Sequence, residues 1–270
     1  MSSQRKTIIA GNWKMNKTVE EARELASAVA EGLSGKGDLP EVVLCPPFTA
    51  LAEVLDKTKG SPAVVGAQNM DYRDSGAFTG EISPVMLVKM GVKYVIIGHS
   101  ERRQFFGETN STVNLRLKAA LNHGLIPIVC VGESLDERES GLTDSVVRRQ
   151  VAAALEELKE EDVKTLVIAY EPVWAIGTGK TCEAQEANRV CESIRATVNE
   201  FFSTEGSKSS VGDDIPVLYG GSVKPSNVDE QLELPHIDGS LVGGASLEAS
   251  DFLKLIEAGA KRVKLAATVS

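Results

Sequence analysis

Short apolar runs alternate with longer amphipathic segments along this chain. The runs are rich in β-branched residues, which predicts buried strands. They lie at residues 7–10, 42–45, 63–67, 94–97, 126–131, 166–170, 216–219 and 240–242. Helical periodicity marks the segments between them, most clearly at 19–33, 112–122, 146–158, 182–201 and 252–258. This alternation is typical of the α/β class, in which helices connect parallel strands.

The number of strand–helix units predicts how the sheet closes. Eight units with no strand left over favour a single closed (β/α)8 barrel over an open doubly wound sheet. A chain of 270 residues suits one barrel, so we expect a single domain over residues 1–270. Residues 203–214 are rich in serine, glycine and acidic side chains. They predict an exposed loop before the seventh strand.

Candidate functional residues follow from this fold, because the active site of such a barrel lies at the carboxyl ends of its strands. Of the three histidines, only His99 follows a strand, whereas His123 ends a helix and His236 lies in a polar connection. The other candidates at strand ends are Asn12, Lys14, Glu101, Cys130, Glu133, Glu171, Gly220, Gly221, Ser222, Gly243 and Gly244.

Glu171, His99 and Lys14 are the candidates for catalysis. Glu171 lies between an apolar strand and Pro172, and burial would raise the pKa of its carboxyl group, which suits a general base. His99 precedes a predicted short helix, whose amino end disfavours a positively charged ring. Lys14 lies beside Trp13 and offers a positive charge to an anion. Each residue also has a structural alternative. Glu171 could be an ion-pair partner, His99 a buried ring that only makes hydrogen bonds, and Lys14 an ordinary surface lysine.

Two glycine pairs follow the last two strands, at 220–221 and 243–244. Backbone amides at these positions form the usual phosphate pocket of barrels, so we expect a phosphorylated substrate, although either pair alone fits an ordinary turn. Residues 175–180 mix apolar residues with glycine and predict a loop that closes over the ligand. They lack P-loop spacing, no GxGxxG follows the first strand, and no residues show metal-ligand spacing. We therefore expect neither a cofactor nor a metal.

Composition narrows the possible partners and compartments. A formal net charge of -9 disfavours binding to nucleic acid or to an anionic membrane. Residues 1–14 lack the apolar stretch of a secretory signal, and no run approaches about 20 apolar residues. The cysteines, at 45, 130, 182 and 191, form no CxxC pair. We expect free thiols in a reducing cytoplasm.

Five segments resemble the triosephosphate isomerase family, in the family's order and along nearly the whole chain. They are Gly-Asn-Trp-Lys-Met-Asn at 11–16, Gly-His-Ser-Glu-Arg-Arg at 98–103, Ala-Tyr-Glu-Pro-Val-Trp-Ala-Ile-Gly-Thr-Gly-Lys at 169–180, Tyr-Gly-Gly-Ser-Val at 219–223 and Leu-Val-Gly-Gly-Ala-Ser at 241–246. The resemblance implies a TIM barrel that interconverts dihydroxyacetone phosphate and D-glyceraldehyde 3-phosphate in glycolysis and gluconeogenesis. It also implies that the proton moves through an enediolate intermediate without a cofactor.

The resemblance implies a role for each site residue. Glu171 would be the base that moves the proton between C1 and C2, and His99 would be the electrophile. Lys14 and Asn12 would bind and polarise the substrate, whereas the role of Glu101 stays open. The amides that hold the phosphate would come from Gly177, Ser222, Gly243 and Gly244.

Residues 68–84 form a segment that is too long for an ordinary connection after the third strand. The resemblance implies a homodimer in which this loop enters a pocket of the partner subunit. Thr79 would then lie near Asn12 and Lys14 of the partner subunit.

Two other functions fit the same residues. Lys14 would attack a sugar-phosphate carbonyl and form a Schiff base if the protein were an aldolase or lyase of the barrel class. Alternatively, the barrel would bind a phosphorylated ligand without catalysis. Two differences from many family members, Asn188 and His236, lie outside every site motif and leave the expected activity untouched.

Overall fold

Eight parallel strands close into a barrel in the computed structural model, which describes residues 5–176 and 180–269. Each strand pairs with its neighbours in the sequence, and the first strand pairs with the last. The strands are β1 (Ile8–Asn12), β2 (Glu41–Cys45), β3 (Ala63–Ala67), β4 (Tyr94–Ile97), β5 (Ile126–Val131), β6 (Val167–Tyr170), β7 (Val217–Tyr219) and β8 (Gly239–Val242). The predicted (β/α)8 barrel is confirmed.

Helices cover the outside of the barrel. They are α1 (Val19–Leu33), α2 (Leu51–Lys57), α3 (Pro84–Met90), α4 (Ser100–Phe105), α5 (Asn110–Asn122), α6 (Leu135–Glu139), α7 (Thr143–Leu155), α8 (Ala184–Phe202), α9 (Val211–Asp214), α10 (Val228–Leu232) and α11 (Ala249–Val269). Short 3-10 turns lie at Phe48–Ala50, Asp162–Thr165, Val173–Ala175 and Gly244–Leu247. Within the described residues, none of the helices combines the length and the apolar character that crossing a membrane requires.

Helix α1 begins and packs as its sequence dictates. The Thr18 hydroxyl accepts a hydrogen bond from the Glu21 amide at 3.3 Å, and the Glu21 carboxylate accepts one from the Thr18 amide at 2.7 Å. This reciprocal pair is a capping box, which satisfies amides that the first turn leaves unpaired. The buried side chains recur at the spacing of one helix face and are Ala22, Leu25, Ala26, Val29 and Leu33.

The core has one layer inside the barrel and one between the strands and the helices. Ile9 belongs to the larger cluster with helix residues, whereas Ile8 and Ala10 belong to a second cluster made of strand residues. Successive side chains of a strand point to opposite faces, so the second cluster fills the barrel interior. Tyr94 is its largest fully buried member. A packed interior places a ligand at the strand ends and not through the barrel.

Residues 203–214 depart in part from the predicted exposed loop. Thr204 and Ser207 form an antiparallel bridge, and α9 follows with Val211 buried. The Gly212 amide donates to Asn199 Oδ1 at 2.7 Å, which ties α9 to α8. The prediction of exposure was wrong for Val211 and Gly212, because one helical turn is too short to show a period in the sequence.

Candidate active site

The end of β1 holds Lys14 in an unusual backbone conformation. Its φ angle is 54°, in the left-handed region that residues other than glycine rarely adopt. The Lys14 amide donates to Asn12 Oδ1 at 3.1 Å, and its carbonyl accepts from Gln68 Nε2 at 2.8 Å. The ammonium lies 2.5 Å from Glu101 Oε1. A backbone of this kind costs about 1–3 kcal/mol and persists where the surroundings fix it, as these contacts do.

His99 and Glu171 face each other at the ends of β4 and β6. His99 Nε2 lies 2.9 Å from Glu171 Oε1, and both side chains are buried. The short helix predicted after His99 is α4, and the Glu101 amide donates to His99 Nδ1 at 3.2 Å. A ring nitrogen that accepts a hydrogen bond carries no proton, so this network assigns the ring proton to Nε2. The second carboxylate oxygen, Oε2, accepts from the Ser100 amide at 2.9 Å.

Burial and hydrogen bonding compete in setting the charge of this pair. Burial opposes ionisation of Glu171, but the electrostatic attraction and hydrogen bond of the His99 ring and the bond from the Ser100 amide outweigh it, so the pKa of Glu171 is lowered. The expectation of a raised pKa is therefore wrong for this arrangement, because the apolar flanks of Glu171 do not reveal these donors. Burial also opposes protonation of His99, whereas Glu171 raises the pKa of His99 above its ordinary value.

The four cysteines are buried and form no disulfide. Cys130 lies near Glu171, and burial first, then the charge of Glu171, raises the pKa of its thiol well above the ordinary value. A raised pKa favours the protonated thiol, which is a poor nucleophile. In the described part of the chain, no group of three or more histidine, cysteine or acidic side chains could hold a metal ion.

A cavity of about 370 Å³ brings these groups together above the strand ends. Lys14, His99 and Glu171 line it. The other predicted site residues along its wall are Asn12, Gly220, Gly221, Ser222, Gly243 and Gly244. Ile176 of the predicted closing loop also lines the cavity, whereas Gly177 lies outside the described residues.

The chain is similar to known proteins along nearly its whole length. A sequence model of the family described as triosephosphate isomerase matches residues 7–259. The triosephosphate isomerase of Clostridium tetani (strain Massachusetts / E88) is 54% identical over 252 residues, which are 93% of this chain and 96% of the relative. The triosephosphate isomerase of Synechococcus sp. (strain JA-3-3Ab) is 53% identical over 256 residues, which are 93% of this chain and 94% of the relative. The chain belongs to the triosephosphate isomerase family. Membership confirms what the five motifs predicted, namely the family, its barrel and the isomerase class.

In this member of the triosephosphate isomerase family, Glu133 anchors Trp174, the residue just before the predicted closing loop. Its carboxylate is fully buried and accepts from Trp174 Nε1 at 2.9 Å. The Tyr170 hydroxyl lies 3.2 Å from both carboxylate oxygens, and Arg138 Nη1 lies 3.4 Å from Oε1. Three donors thus compensate one buried charge. The sequence marked Glu133 by its position after β5 but assigned it no role.

Two further residues of this triosephosphate isomerase site went unnoticed in the sequence. An ideal Cβ on Gly132 would lie 1.7 Å from the Glu171 carbonyl oxygen, so this position requires glycine. The Gly132 amide donates to Gln150 Oε1 at 2.7 Å, and Gln150 Nε2 donates to the Gly132 carbonyl at 3.1 Å. The signal that could have found them is a glutamine on the apolar face of a predicted helix.

Proposed function

We propose that this chain interconverts dihydroxyacetone phosphate and D-glyceraldehyde 3-phosphate, a step of glycolysis and gluconeogenesis, without a cofactor. The observation that carries the proposal is the buried Glu171 carboxylate, which lies 2.9 Å from His99 Nε2 and lines one cavity with Lys14. A carboxylate accepts a proton, a ring N–H polarises a carbonyl, and an ammonium stabilises negative charge. These three functions are what an aldose–ketose isomerisation needs.

Each group has one task in the proposed reaction. Glu171 removes a proton from C1 of the ketose, and the C–H electrons form the carbon–carbon double bond of an enediolate. His99 Nε2–H and the Lys14 ammonium stabilise the oxygen that gains negative charge. A proton then moves between the two oxygens, and Glu171 returns its proton to C2. Asn12 helps to bind and polarise the substrate.

The phosphate is held by backbone amides and one ammonium in this proposal. Ser222, Gly243 and Gly244 line the cavity at the ends of β7 and β8, where barrels usually bind phosphate. A Cβ on Gly243 would lie 3.5 Å from Lys14 Cε, an ordinary contact distance, so the Lys14 side chain passes beside this turn. Because the chain carries a net charge of -9, an anionic substrate needs such a local site. Gly177 is the remaining proposed donor.

The contact between Lys14 and Glu101 bears on the Schiff-base alternative. The ammonium lies 2.5 Å from the Glu101 carboxylate. An ammonium in an ion pair has no lone pair with which to attack a carbonyl, so this contact favours binding over covalent catalysis by Lys14. Glu101 therefore acts in the proposal as the ion-pair partner of Lys14. Borohydride treatment with substrate should trap no adduct.

The decisive experiment is Glu171→Gln in a coupled assay that starts from D-glyceraldehyde 3-phosphate. A well-placed general base contributes about 10²- to 10⁴-fold, so we expect kcat to fall by at least 100-fold. Binding of glycerol 3-phosphate, measured by calorimetry, should persist. Glu139→Gln is the matched control, because Glu139 is exposed on α6. Activity of Glu171→Gln within a few-fold of the parent would show that another group is the base.

We also propose that the active form is a homodimer joined through residues 68–84. In the single chain, residues 74–80 of this loop are all exposed. Phe78 is 39% exposed, and Met15, next to Lys14, is 96% exposed. Apolar side chains this exposed beside a functional site favour cover by another subunit. Buried free thiols further support a reducing, cytoplasmic location.

A further inference from the structure

Gln150 is a polar residue on the barrel-facing side of α7. The buried residues of this helix include Val146, Val147, Val151 and Ala154, at the spacing of one helix face. Gln150 lies three residues after Val147 and four before Ala154, so it belongs to the same face. Gln150 is half-buried, and an amide withdrawn from water in this way is costly unless its hydrogen bonds are made. Its partners therefore indicate what it does.

Both partners of the Gln150 amide belong to Gly132. The Gly132 N–H donates to Gln150 Oε1 at 2.7 Å, and Gln150 Nε2 donates to the Gly132 carbonyl at 3.1 Å. One bond would allow Gly132 to rotate about it. Two bonds, one to each side of the residue, fix its orientation as well as its position. Gln150 is thus a two-point clamp on the chain that leaves β5.

Gly132 lies directly against the backbone of Glu171. A Cβ on Gly132 would lie 1.7 Å from the Glu171 carbonyl oxygen and 2.6 Å from its carbonyl carbon. On one side, the Glu171 amide donates to the Val131 carbonyl at 2.7 Å, and on the other the Val173 amide donates to the Glu133 carbonyl at 3.1 Å. The two backbones are therefore in contact with no side chain between them. A shift of Gly132 must be transmitted to Glu171.

We propose that Gln150 is a positioning residue for Glu171, which acts by clamping Gly132 against the backbone that carries the base. This inference rests on the proposed role of Glu171. Lys14, Ser222, Gly243 and Gly244 follow β1, β7 and β8, and none of them takes part in the contact between Gln150 and Gly132. Loss of the clamp should therefore lower turnover and leave substrate binding nearly intact, since about 1 Å of misplacement costs about 100-fold in rate.

The test compares two substitutions of Gln150. Gln150→Met keeps the length of the side chain and removes both hydrogen bonds, so we expect kcat to fall about 10-fold or more, with KM within about twofold of the parent. Gln150→Glu keeps an acceptor for the Gly132 N–H and loses the donor, so its kcat should lie between those of the parent and Gln150→Met. It also serves as the milder change if Gln150→Met folds poorly.

Asn114→Leu is the matched control for loss of two amide hydrogen bonds to the same helix. The Asn114 amide donates to the Ala154 and Glu156 carbonyls, both at 2.9 Å, at the end of α7 away from Gly132. We expect this variant to lose thermal stability and to keep the kcat of the parent at a temperature where it is folded.

A double variant separates positioning from stability. Glu171→Asp already withdraws the carboxylate by one methylene, so Gln150→Met should reduce kcat by a smaller factor in that background than in the parent. The inference is overturned if Gln150→Met keeps kcat within twofold of the parent, if Asn114→Leu loses as much kcat, or if the factor is equal in both backgrounds. A parent chain without isomerase activity would overturn the proposed function, and this inference with it.

Discussion

Gly132→Ala should displace the proposed base without adding any atom to the cavity. The new Cβ would lie 1.7 Å from the Glu171 carbonyl oxygen, and Cβ contacts under 3.0 Å essentially never occur, so the two backbones must separate by about 1.3 Å. A misplacement of about 1 Å at a reacting group costs about 100-fold in rate, and we expect kcat to fall by about that factor. Crowding of this kind destabilises by about 1–3 kcal/mol, so the variant should still fold.

The assay is steady-state isomerisation, with circular dichroism as the test of folding. Gly37→Ala is the control, because a Cβ there would meet nothing within 4 Å. Gly220→Ala is an intermediate case, because its Cβ would lie 2.9 Å from Glu171 Cγ, a much smaller overlap than the 1.7 Å contact at Gly132. The expected order of kcat is Gly37→Ala, then Gly220→Ala, then Gly132→Ala. A folded Gly132→Ala enzyme with kcat within threefold of the parent would refute the reasoning.

Three further predictions concern acidity, a buried ion pair and assembly. The pKa of Glu171 is lowered, so the acid limb of kcat/KM that belongs to this carboxyl group should lie below 4.5, the ordinary glutamate value, after correction for the substrate phosphate, whose pKa is about 6, and for His99, whose pKa is raised. A corrected limb above 4.5 would contradict this. Arg195→Met should lower the free energy of unfolding, measured in urea, by about 3 kcal/mol, because the buried Asp238 carboxylate loses one of its arginine partners. A loss of less than about 1 kcal/mol would contradict this prediction. Replacing residues 71–80 with a short Gly-Ser turn should give a folded monomer with strongly reduced turnover in sedimentation and kinetic measurements, whereas a fully active monomer would disprove the coupling of assembly to activity.

Local hydrophobic patterns in the sequence predicted most of the strands and helices of the fold. The runs at 63–67, 94–97 and 126–131 match β3, β4 and β5 to the residue, because a strand buried on both faces is a continuous apolar run between polar connections. The helical periodicity of apolar residues over positions 19–33 likewise matches the bounds of α1. Helix α11 begins before residue 252 and ends after residue 258, since helix ends depend on contacts that the period does not record.

Local patterns did not predict contacts between residues that are far apart in the sequence. Gln150 and Gly132 are 18 positions apart, and no spacing rule links them. Asn188 and His236 are 48 positions apart, yet the His236 amide donates to Asn188 Oδ1 at 2.9 Å. A single sequence shows which residues follow a strand, and therefore which side chains reach the site. It does not show which peptide groups hold those side chains in place.

The lowered pKa of Glu171 and its proposed work as a base belong to two states of the site. In the described state, the carboxylate accepts from the Ser100 amide and from His99 Nε2, and both bonds stabilise its negative charge. In the proposed reaction, His99 Nε2–H turns to the substrate oxygen, so Glu171 must give up at least this bond when substrate binds. The burial that opposes its ionisation remains, so the proposal predicts a higher pKa for this carboxyl group in the substrate complex than in the described state. In the described state its hydrogen bonds keep Glu171 ionised, and the rise that its apolar flanks predict belongs to the proposed complex.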